Sequence, residues 1–308
     1  MKKKRKHVLS LRDLSNQDTL DIINSGVDYA RGKIELGEQL KGKVIGIYFT
    51  KTSTRTRTSF SSAALRLGAQ IISYGPNDLQ INTGENIHDT LQVLSQMLDG
   101  LVVRTSGPLT ELRTLKNMES MSLINAMTDD EHPTQALADL TTIKLHFGEL
   151  SGIRIIYFGE GNNTAIALAL SLTKFRNVTV YFCTPPNYGL DKSVLCYAQK
   201  EGKKMNSHIQ EVHRVKSLPL DVDIIYTTRW ETTGTIKDDI NWRKEFEPFS
   251  VTERLMAQYP KAIFMHDLPA HRGEEVEASV IDGEKSIVFE QAKNKVHSAK
   301  AVLQWCLG

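Results

Sequence analysis

A short polar run contains the residues best suited to binding an anion. Residues 50–60 read Thr-Lys-Thr-Ser-Thr-Arg-Thr-Arg-Thr-Ser-Phe, so hydroxyl and guanidinium groups lie next to one another. The apolar run 44–49 before it and the helical spacing of apolar residues after it predict a strand, a turn and a helix start. Free N–H groups at a helix start, hydroxyls and a guanidinium fork together favour phosphate. An ordinary capped helix with solvated arginines would explain the Ser-Thr step but not the whole cluster.

The helix after the polar run is expected to begin at Ser53 or Thr54. Two further groups of polar residues stand where other strands are predicted to end. Arg104 follows a short apolar strand, and His132 precedes a predicted helix that has Gln135 in its first turn. Open α/β sheets bind ligands at the carboxyl ends of their strands. An arginine and an imidazole there could polarise a carbonyl oxygen beside a bound phosphate, although a histidine in this position is often only a cap or a packed side chain.

The order of predicted elements indicates the fold class. Strand-like and helix-like segments alternate almost throughout, which is typical of α/β proteins with parallel sheets. A chain of 308 residues suits two domains of about 150 residues each. We expect two doubly wound parallel-sheet domains joined by helices. The first would comprise residues 1–148, with the closing helix 288–308 packing back on it, and the second residues 149–287.

Composition narrows the possible partners and compartment. Lysine and arginine total 38 against 36 acidic residues, so no overall positive field predicts a nucleic-acid partner. The basic run 2–6 is interpreted as a solvated tail. No stretch approaches the ~20 apolar residues of a membrane span, and no signal-peptide core follows the start, so no membrane association is expected. Cys183, Cys196 and Cys306 lack metal-ligand spacing, which predicts thiols, no metal and a reducing cytoplasm.

A glycine-containing turn raises the alternative of a dinucleotide cofactor. Gly-Glu-Gly at 159–161 follows a predicted strand, as in the dinucleotide-binding motif. Thr164 stands where the third small residue would be, and the next strand lacks the acid that would bind a ribose hydroxyl. We therefore expect no nicotinamide cofactor.

Motifs in a fixed order resemble the aspartate/ornithine carbamoyltransferase family over nearly the whole chain. They are Ser-Thr-Arg-Thr-Arg at 53–57, Arg104, His-Pro-Thr-Gln at 132–135 and His-Asp-Leu-Pro at 266–269. The resemblance implies an enzyme that moves the carbamoyl group of carbamoyl phosphate to the amine of a small amino acid. It also implies that no metal or organic cofactor takes part.

The resemblance assigns roles to individual residues. The implied carbamoyl-phosphate residues are Ser53, Thr54, Arg55, Thr56, Gln80, Arg104, His132, Gln135, Leu268 and Arg272. The implied catalytic residues are Arg55, Arg104, His132 and Asp267. Gln80 lies in a segment similar to the family loop that reaches a neighbouring subunit's site. This similarity implies a homotrimer, or a multiple of one.

The acceptor half departs from the pattern of ornithine enzymes. The implied acceptor-binding residues are Asn162, Asn163, Thr228, Arg229, Glu231, Thr232, Thr233, Asp267, Leu268 and Pro269. The ornithine pattern Asp-x-x-x-Ser-Met-Gly is replaced at 228–234 by Thr-Arg-Trp-Glu-Thr-Thr-Gly, and the family cysteine before Leu268 is Asp267. Losing one acid and gaining another predicts a changed acceptor, because unpaired polar groups in a site reject the original substrate.

Several acceptors remain compatible with these substitutions. A short diamino acid such as 2,3-diaminopropionate is expected, because Asp267 would hold its amine and Arg229 offers a partner for a carboxylate. A diamine or an aspartate-like acid also stays open. An ordinary ornithine carbamoyltransferase is the first alternative, and a non-catalytic protein that binds carbamoyl phosphate is the second.

Overall fold

The computed structural model describes residues 5–114, 119–231, 237 and 239–308. The chain forms two compact units, the first built from Met1–Thr141 and Asn294–Gly308 and the second from Thr142–Lys293. Each unit contains a parallel sheet, which confirms the predicted class of two doubly wound α/β domains. Within the described ranges, no helix is both long and apolar enough to cross a bilayer.

The secondary structure follows the predicted alternation. The strands are β1 (Val44–Phe49), β2 (Gln70–Tyr74), β3 (Gly100–Arg104), β4 (Ser122–Met127), β5 (Arg154–Phe158), β6 (Thr179–Cys183), β7 (His208–Val212), β8 (Ile224–Thr227) and β9 (Ile263–His266). The helices are α1 (Asn16–Ala30), α2 (Thr54–Arg66), α3 (Ile87–Leu94), α4 (Leu109–Arg113), α5 (Pro133–Phe147), α6 (Asn163–Leu172), α7 (Lys192–Lys204), α8 (Trp242–Phe246), α9 (Glu253–Ala257), α10 (Ala278–Ile281) and α11 (Val288–Leu307).

The sheet of the first unit has the strand order β2-β1-β3-β4, with every pair parallel. The chain winds outward from β1 to β2 and then returns to β3 on the other side of β1. Such a reversal leaves a crevice at the carboxyl ends of the two strands, where ligands bind in open α/β sheets. The strands β3 and β4 are fully buried, which explains their nearly continuous apolar sequences.

The sheet of the second unit has the order β7-β6-β5-β8-β9 and is also entirely parallel. Its winding reverses between β5 and β8, so the segments that follow Phe158 and Thr227 start at the reversal. The edge strand β7 was missed by the sequence prediction, which named no strand there. Its sequence, His-Ile-Gln-Glu-Val, has neither a continuous apolar run nor a buried face, since only Ile209 is buried.

The start and end of α2 are fixed by local backbone geometry. Ser53 is the N-cap residue, with an extended backbone (φ −158°, ψ 97°), as the sequence predicted. The inward residues of this helix recur at three- and four-residue spacing, so its buried face includes Thr56, Phe60 and Ala63. Gly68 follows the helix with φ +84°, and a Cβ there would lie 2.1 Å from the Gly37 carbonyl oxygen. A side chain at Gly68 is therefore excluded by both conformation and space.

Candidate active site

A pocket of about 320 Å³ lies at the start of α2. Its lining residues are Phe49, Lys51, Thr52, Ser53, Thr54, Arg57 and Pro76. The Ser53 side chain makes no capping hydrogen bond. The first N–H groups of a helix have no partners within the helix, and they carry its positive dipole end. The pocket is therefore lined by backbone donors, by hydroxyls and by the guanidinium of Arg57, which are groups suited to an anion.

The two arginines of the polar run occupy different environments. Arg55 is half-buried in the first turn of α2, and Thr56 after it is buried. The guanidinium of Arg57 lies 5.4 Å from the centre of the Phe49 ring, and its Nη2 lies 3.5 Å from the Phe49 carbonyl oxygen. Its Nε is buried without a hydrogen-bond partner in the described part of the chain. Arg57 is thus a pocket residue that the predicted site did not include.

Arg104 is brought to the same end of the sheet by strand pairing. Phe49 and Arg104 are register partners at the ends of β1 and β3. The Thr50 N–H donates to the Arg104 carbonyl oxygen over 3.0 Å, which joins the two strand ends beyond the ladder. The Arg104 side chain is buried. The polar run and Arg104 therefore meet where the winding of the sheet reverses.

His132 lies directly before α5 and is buried, as is the first turn that follows it. Burial lowers the pKa of His132 well below its usual value, and the positive charges of Lys295 and Arg104 lower that pKa further. The imidazole is therefore neutral at physiological pH. Its Nδ1 lies 3.4 Å from the Thr134 hydroxyl oxygen, which also lies 3.3 Å from the Ala126 carbonyl oxygen.

Lys295 is a residue of this site that the sequence prediction missed. Its Nζ donates to Oε1 of Gln135, and Nε2 of Gln135 donates to Oδ1 of Asp139 over 2.8 Å. Both Lys295 and Asp139 are buried, so this pair of hydrogen bonds fixes the orientation of the Gln135 amide. The sequence signal that indicates Lys295 is the helical spacing of polar residues in α11. Gln291, Lys295 and Ser298 recur at this spacing and form part of the buried face of the helix.

Glu131 is a buried acid next to the candidate catalytic histidine. Its carboxylate accepts hydrogen bonds from the Ser10 hydroxyl at 2.5 Å and the Leu11 N–H at 2.8 Å, so it ties the N-terminal segment to the start of α5. Burial raises the pKa of Glu131 to about 7, although the hydrogen bonds from Leu11 and Ser10 act in the opposite direction.

In the second unit, the two asparagines after β5 form the start of α6. Oδ1 of Asn162 accepts from the N–H groups of Thr164 at 3.0 Å and Ala165 at 3.2 Å, so Asn162 caps the helix. Asn163 is buried in the first turn. The Asn162 side chain thus serves the fold through its oxygen.

Asp267 is the centre of a small polar cluster in the second unit. Its Oδ2 accepts from the Thr164 hydroxyl and its Oδ1 from the Thr228 hydroxyl, each over 2.9 Å. Thr228 follows β8 and Asp267 follows β9, which are neighbouring strands of the sheet. Two sequence-predicted acceptor residues are therefore in direct contact, and Thr164 joins them as a residue that the prediction had not included.

The remaining predicted residues of the second unit lie in its loops. Nε of Arg229 donates to the carbonyl oxygen of Glu231. Leu268 has a left-handed backbone (φ 57°), its N–H donates to Nδ1 of His266 over 2.8 Å, and its peptide bond to Pro269 is cis. Thr232 and Thr233 lie outside the described residues.

Two residues that were predicted to bind carbamoyl phosphate, Arg272 and Gln80, hydrogen-bond to other side chains of the protein. The guanidinium of Arg272 makes two hydrogen bonds to Asp282, at 2.6 and 2.8 Å, and is exposed. Gln80 is exposed in a 3₁₀ turn, Gln80–Thr83, where its Oε1 accepts from the Thr83 hydroxyl over 2.9 Å. These contacts do not assign either side chain to a phosphate.

The geometry defines a two-domain α/β protein with an anion pocket in one unit and an acid–hydroxyl cluster in the other. Two domain families match the chain: aspartate/ornithine carbamoyltransferase, carbamoyl-P binding domain, at residues 6–145, and aspartate/ornithine carbamoyltransferase, Asp/Orn binding domain, at residues 151–306. The chain belongs to the aspartate/ornithine carbamoyltransferase family.

Individual relatives agree with this membership. The chain is 37% identical to an ornithine carbamoyltransferase of Caldicellulosiruptor saccharolyticus and 38% identical to one of Methanothermobacter thermautotrophicus, with 98% of this chain and 99% of each relative covered. The solved structure of ornithine carbamoyltransferase from Pyrococcus furiosus superimposes with a TM-score of 0.91 at 35% identity, covering 99% of this chain and 98% of that one.

Glu131 generates a prediction about stability and pH. Because folding raises the pKa of its carboxyl group from 4.5 to about 7, the folded protein keeps this proton to higher pH than the unfolded chain does. The free energy of unfolding should therefore fall as pH rises through this window, by about 3 kcal/mol for this group. The side chain of the variant Glu131→Gln does not titrate in this pH range. We therefore expect its free energy of unfolding to rise relative to that of the wild type as the pH increases.

Urea denaturation across this pH range measures the difference. In the variant, the amide oxygen accepts from Leu11 and the amide group donates to Ser10. Glu35→Gln is the control, since Glu35 is exposed in the same unit and its replacement should shift stability equally at every pH. Parallel pH curves for Glu131→Gln and the wild type would contradict the prediction.

Proposed function

We propose that this protein transfers the carbamoyl group of carbamoyl phosphate to the amine of an amino acid and releases phosphate. Family membership supports this activity. The observation that carries it is the pocket at the start of α2, since its hydroxyls, its backbone amides and the guanidinium of Arg57 match a phosphate. We also propose a cytoplasmic location, supported by three free thiols, two of them buried. Nothing in the described residues favours a non-catalytic binding protein.

Carbamoyl transfer requires stabilisation of negative charge at two positions. The uncharged amine attacks the carbonyl carbon, and charge builds on the carbonyl oxygen. The bond to phosphate then breaks, and the amine nitrogen passes one proton to the departing phosphate. On this proposal, Ser53, Thr54 and Arg55 hold the phosphate as it becomes a free dianion. Arg104 and His132 stabilise the developing oxyanion, which is the usual role of fixed donors in a site that excludes water.

The state of His132 fits this role. A neutral imidazole donates from only one nitrogen, and the partner of the other nitrogen decides which one it is. Donation from Nε2 to the oxyanion requires that Nδ1 carry no proton. The Thr134 hydroxyl, 3.4 Å from Nδ1, has one proton, which it donates either to the Ala126 carbonyl oxygen at 3.3 Å or, after rotation, to Nδ1. The low pKa of His132 also means that lowering the pH to mildly acidic values should not change its charge. Gln135, oriented by Lys295 and Asp139, would accept from the carbamoyl NH₂ group.

The phosphate assignment predicts the effect of Arg55→Ala. We expect kcat/KM for carbamoyl phosphate to fall about a hundredfold or more, because a charge-assisted partner of the phosphate is lost. Arg55→Lys should have an intermediate effect, since it keeps the charge without the planar fork. Phosphate release measures turnover, and calorimetry with a phosphonate analogue measures binding.

Arg66→Ala is the matched control for this experiment. Arg66 lies in the last turn of the same helix, where it is exposed and bonded to Ser62. Its replacement should leave both turnover and binding unchanged, while thermal unfolding shows that each variant is folded. Near-normal activity of folded Arg55→Ala would refute the phosphate assignment.

The acceptor has two candidates, each supported by a different observation. The ornithine carbamoyltransferases to which this chain is 37–38% identical support ornithine, which we propose as the first candidate. The Thr164–Asp267–Thr228 cluster supports a shorter diamino acid such as 2,3-diaminopropionate as the second. In both cases Asp267 would pair with an ammonium group of the acceptor or accept its proton.

A panel of acceptors decides between these candidates. We expect kcat/KM to be highest for ornithine among ornithine, 2,4-diaminobutyrate, 2,3-diaminopropionate, putrescine and aspartate. A higher value for 2,3-diaminopropionate would select the second candidate. The double variant Thr228→Asp/Asp267→Cys restores the aspartate and the cysteine of the ornithine pattern, so under the second candidate it should shift preference towards ornithine by about tenfold or more. Under the first candidate it should leave the preference for ornithine unchanged.

We further propose a homotrimer, in which Gln80 serves a neighbouring subunit. Large apolar side chains are exposed on consecutive elements of the first unit, including Ile72 on the edge strand β2, Val93 in α3 and Met97 after it. Contiguous patches of exposed apolar residues are characteristic of protein interfaces, and on this proposal these three side chains belong to one such patch. The exposed 3₁₀ turn that contains Gln80 follows β2 directly in the chain.

The trimer proposal predicts the effect of a charge on this surface. Met97→Glu should convert the trimer to smaller species, because Met97 is 69% exposed and would be covered on assembly. Leu220→Glu is the control, since Leu220 is similarly exposed, at 66%, but lies in the second unit. Light scattering measures the mass of each protein. An active wild-type monomer would contradict the proposal.

A further inference from the structure

A lysine of the second unit is enclosed by an acid and three aromatic rings. Nζ of Lys237 lies 4.7 Å from the ring centre of Tyr188, 5.2 Å from that of Trp242 and 5.1 Å from that of Phe246. It also donates a hydrogen bond to Glu160. The side chain of Lys237 is only 5% exposed. We call Glu160, Tyr188, Trp242 and Phe246 the lysine cage.

The lysine cage is well suited to a primary ammonium. Aromatic faces attract a cation most strongly when water is excluded, and a carboxylate supplies the counter-charge. The rings also support one another, because Phe246 packs against Tyr188 at 4.7 Å and against Trp242 at 5.4 Å between ring centres. A buried lysine with such partners costs much to move, so Lys237 is a fixed point of its loop.

One wall of the cage belongs to the loop that carries the candidate acceptor asparagines. Glu160 stands two residues before Asn162, and the Tyr157 hydroxyl donates to the Glu160 carbonyl oxygen over 2.8 Å. The N–H of Gly161 donates to the carbonyl oxygen of Tyr188 over 2.8 Å. The enclosed lysine and Tyr188 are therefore tied to residues 160 and 161, directly before the residue that caps α6.

The cage also touches the segment that carries Thr228. Trp230 belongs to the same buried aromatic cluster, with its ring centre 5.5 Å from that of Phe246. Lys237 follows the motif 228–234 by three residues in the sequence. Trp230 and Lys237, on either side of residues 231–236, are thus anchored on one side chain, Phe246.

We propose that Lys237 is a positioning residue for the amino-acid acceptor, holding the Asn162 loop and the Thr228 segment in one arrangement through the lysine cage. This inference rests on the proposed function. Lys237 does not touch the acceptor and acts through residues that would. Removing its charge should therefore weaken acceptor binding and leave the binding of carbamoyl phosphate unchanged, since Ser53–Thr56 lie in the other unit.

The test measures both substrates in steady-state kinetics. We expect Lys237→Met, which keeps the apolar stem, to raise KM for the acceptor about tenfold. KM for carbamoyl phosphate and kcat with saturating acceptor should change less than about twofold, because uniform acceptor binding is what is lost. Lys237→Arg should restore most of the acceptor affinity, since a guanidinium also binds a carboxylate and stacks on aromatic rings.

Two further variants separate positioning from a general loss of stability. Lys237→Met leaves Glu160 without its cation, so Glu160→Gln/Lys237→Met removes both charges and should recover thermal stability while KM for the acceptor stays raised. Lys244→Met is the matched control, because Lys244 lies exposed in α8 beside the cage residues. It should leave all constants unchanged.

The outcomes distinguish this inference from the proposed function. A wild-type protein that carbamoylates no member of the acceptor panel would refute the proposed function and this inference with it. An active wild type in which Lys237→Met leaves KM for the acceptor within about twofold would overturn the inference alone. Equal increases in both KM values, or recovery of normal acceptor KM in the double variant, would also overturn it by assigning Lys237 a purely structural role.

Discussion

Parallel pairing of β1 with both β2 and β3 is the constraint on which the candidate donor site depends. Because every strand of this sheet runs in the same direction, the carboxyl ends meet at one edge, and the winding reverses between β1 and β3. The hydrogen bond from the Thr50 N–H to the Arg104 carbonyl oxygen joins the carboxyl ends of β1 and β3. Residues far apart in the sequence thereby reach one point. A change in strand order would separate the start of α2 from Arg104 while leaving each motif intact.

The same packing concentrates positive charge in a place with little water. Arg104 and Lys295 are buried, and together with desolvation they keep the neighbouring His132 neutral. Desolvated cations are costly unless an anion or hydrogen bonds compensate them, so a bound anion would offset part of this cost. Charge interactions are also stronger where water is excluded. On the proposed function, the phosphate and the developing oxyanion would therefore interact with these cations more strongly than they would in water.

Local sequence patterns predicted much of the fold, because apolar strands, helix starts and glycine ends depend on neighbouring residues. The strand β1, the beginning of α2 at Ser53 or Thr54 and the beginning of α5 after His132 follow directly from such patterns. Partnerships across the chain have no comparable signature. Lys295 reaches Gln135 from a helix that begins more than 150 residues later in the chain. The cage around Lys237 likewise unites Glu160 and Tyr188 from two loops with Trp242 and Phe246 from α8, and these residues form no motif.

Contact between Thr228 and Asp267 changes how the unusual acceptor motif should be understood. Compared with the ornithine pattern, position 228 lacks an acid and position 267 has an additional one. Their side chains are only 2.9 Å apart, so the negative charge has moved by about one hydrogen bond rather than disappeared. On the proposed function, the ammonium group of either candidate acceptor would therefore keep a counter-charge. Yet ornithine exceeds 2,3-diaminopropionate by two methylene groups, or roughly 2.5 Å of chain. The negative charge is thus displaced by about the difference in length between ornithine and 2,3-diaminopropionate. Rotation of one side chain would be enough to accommodate either acceptor.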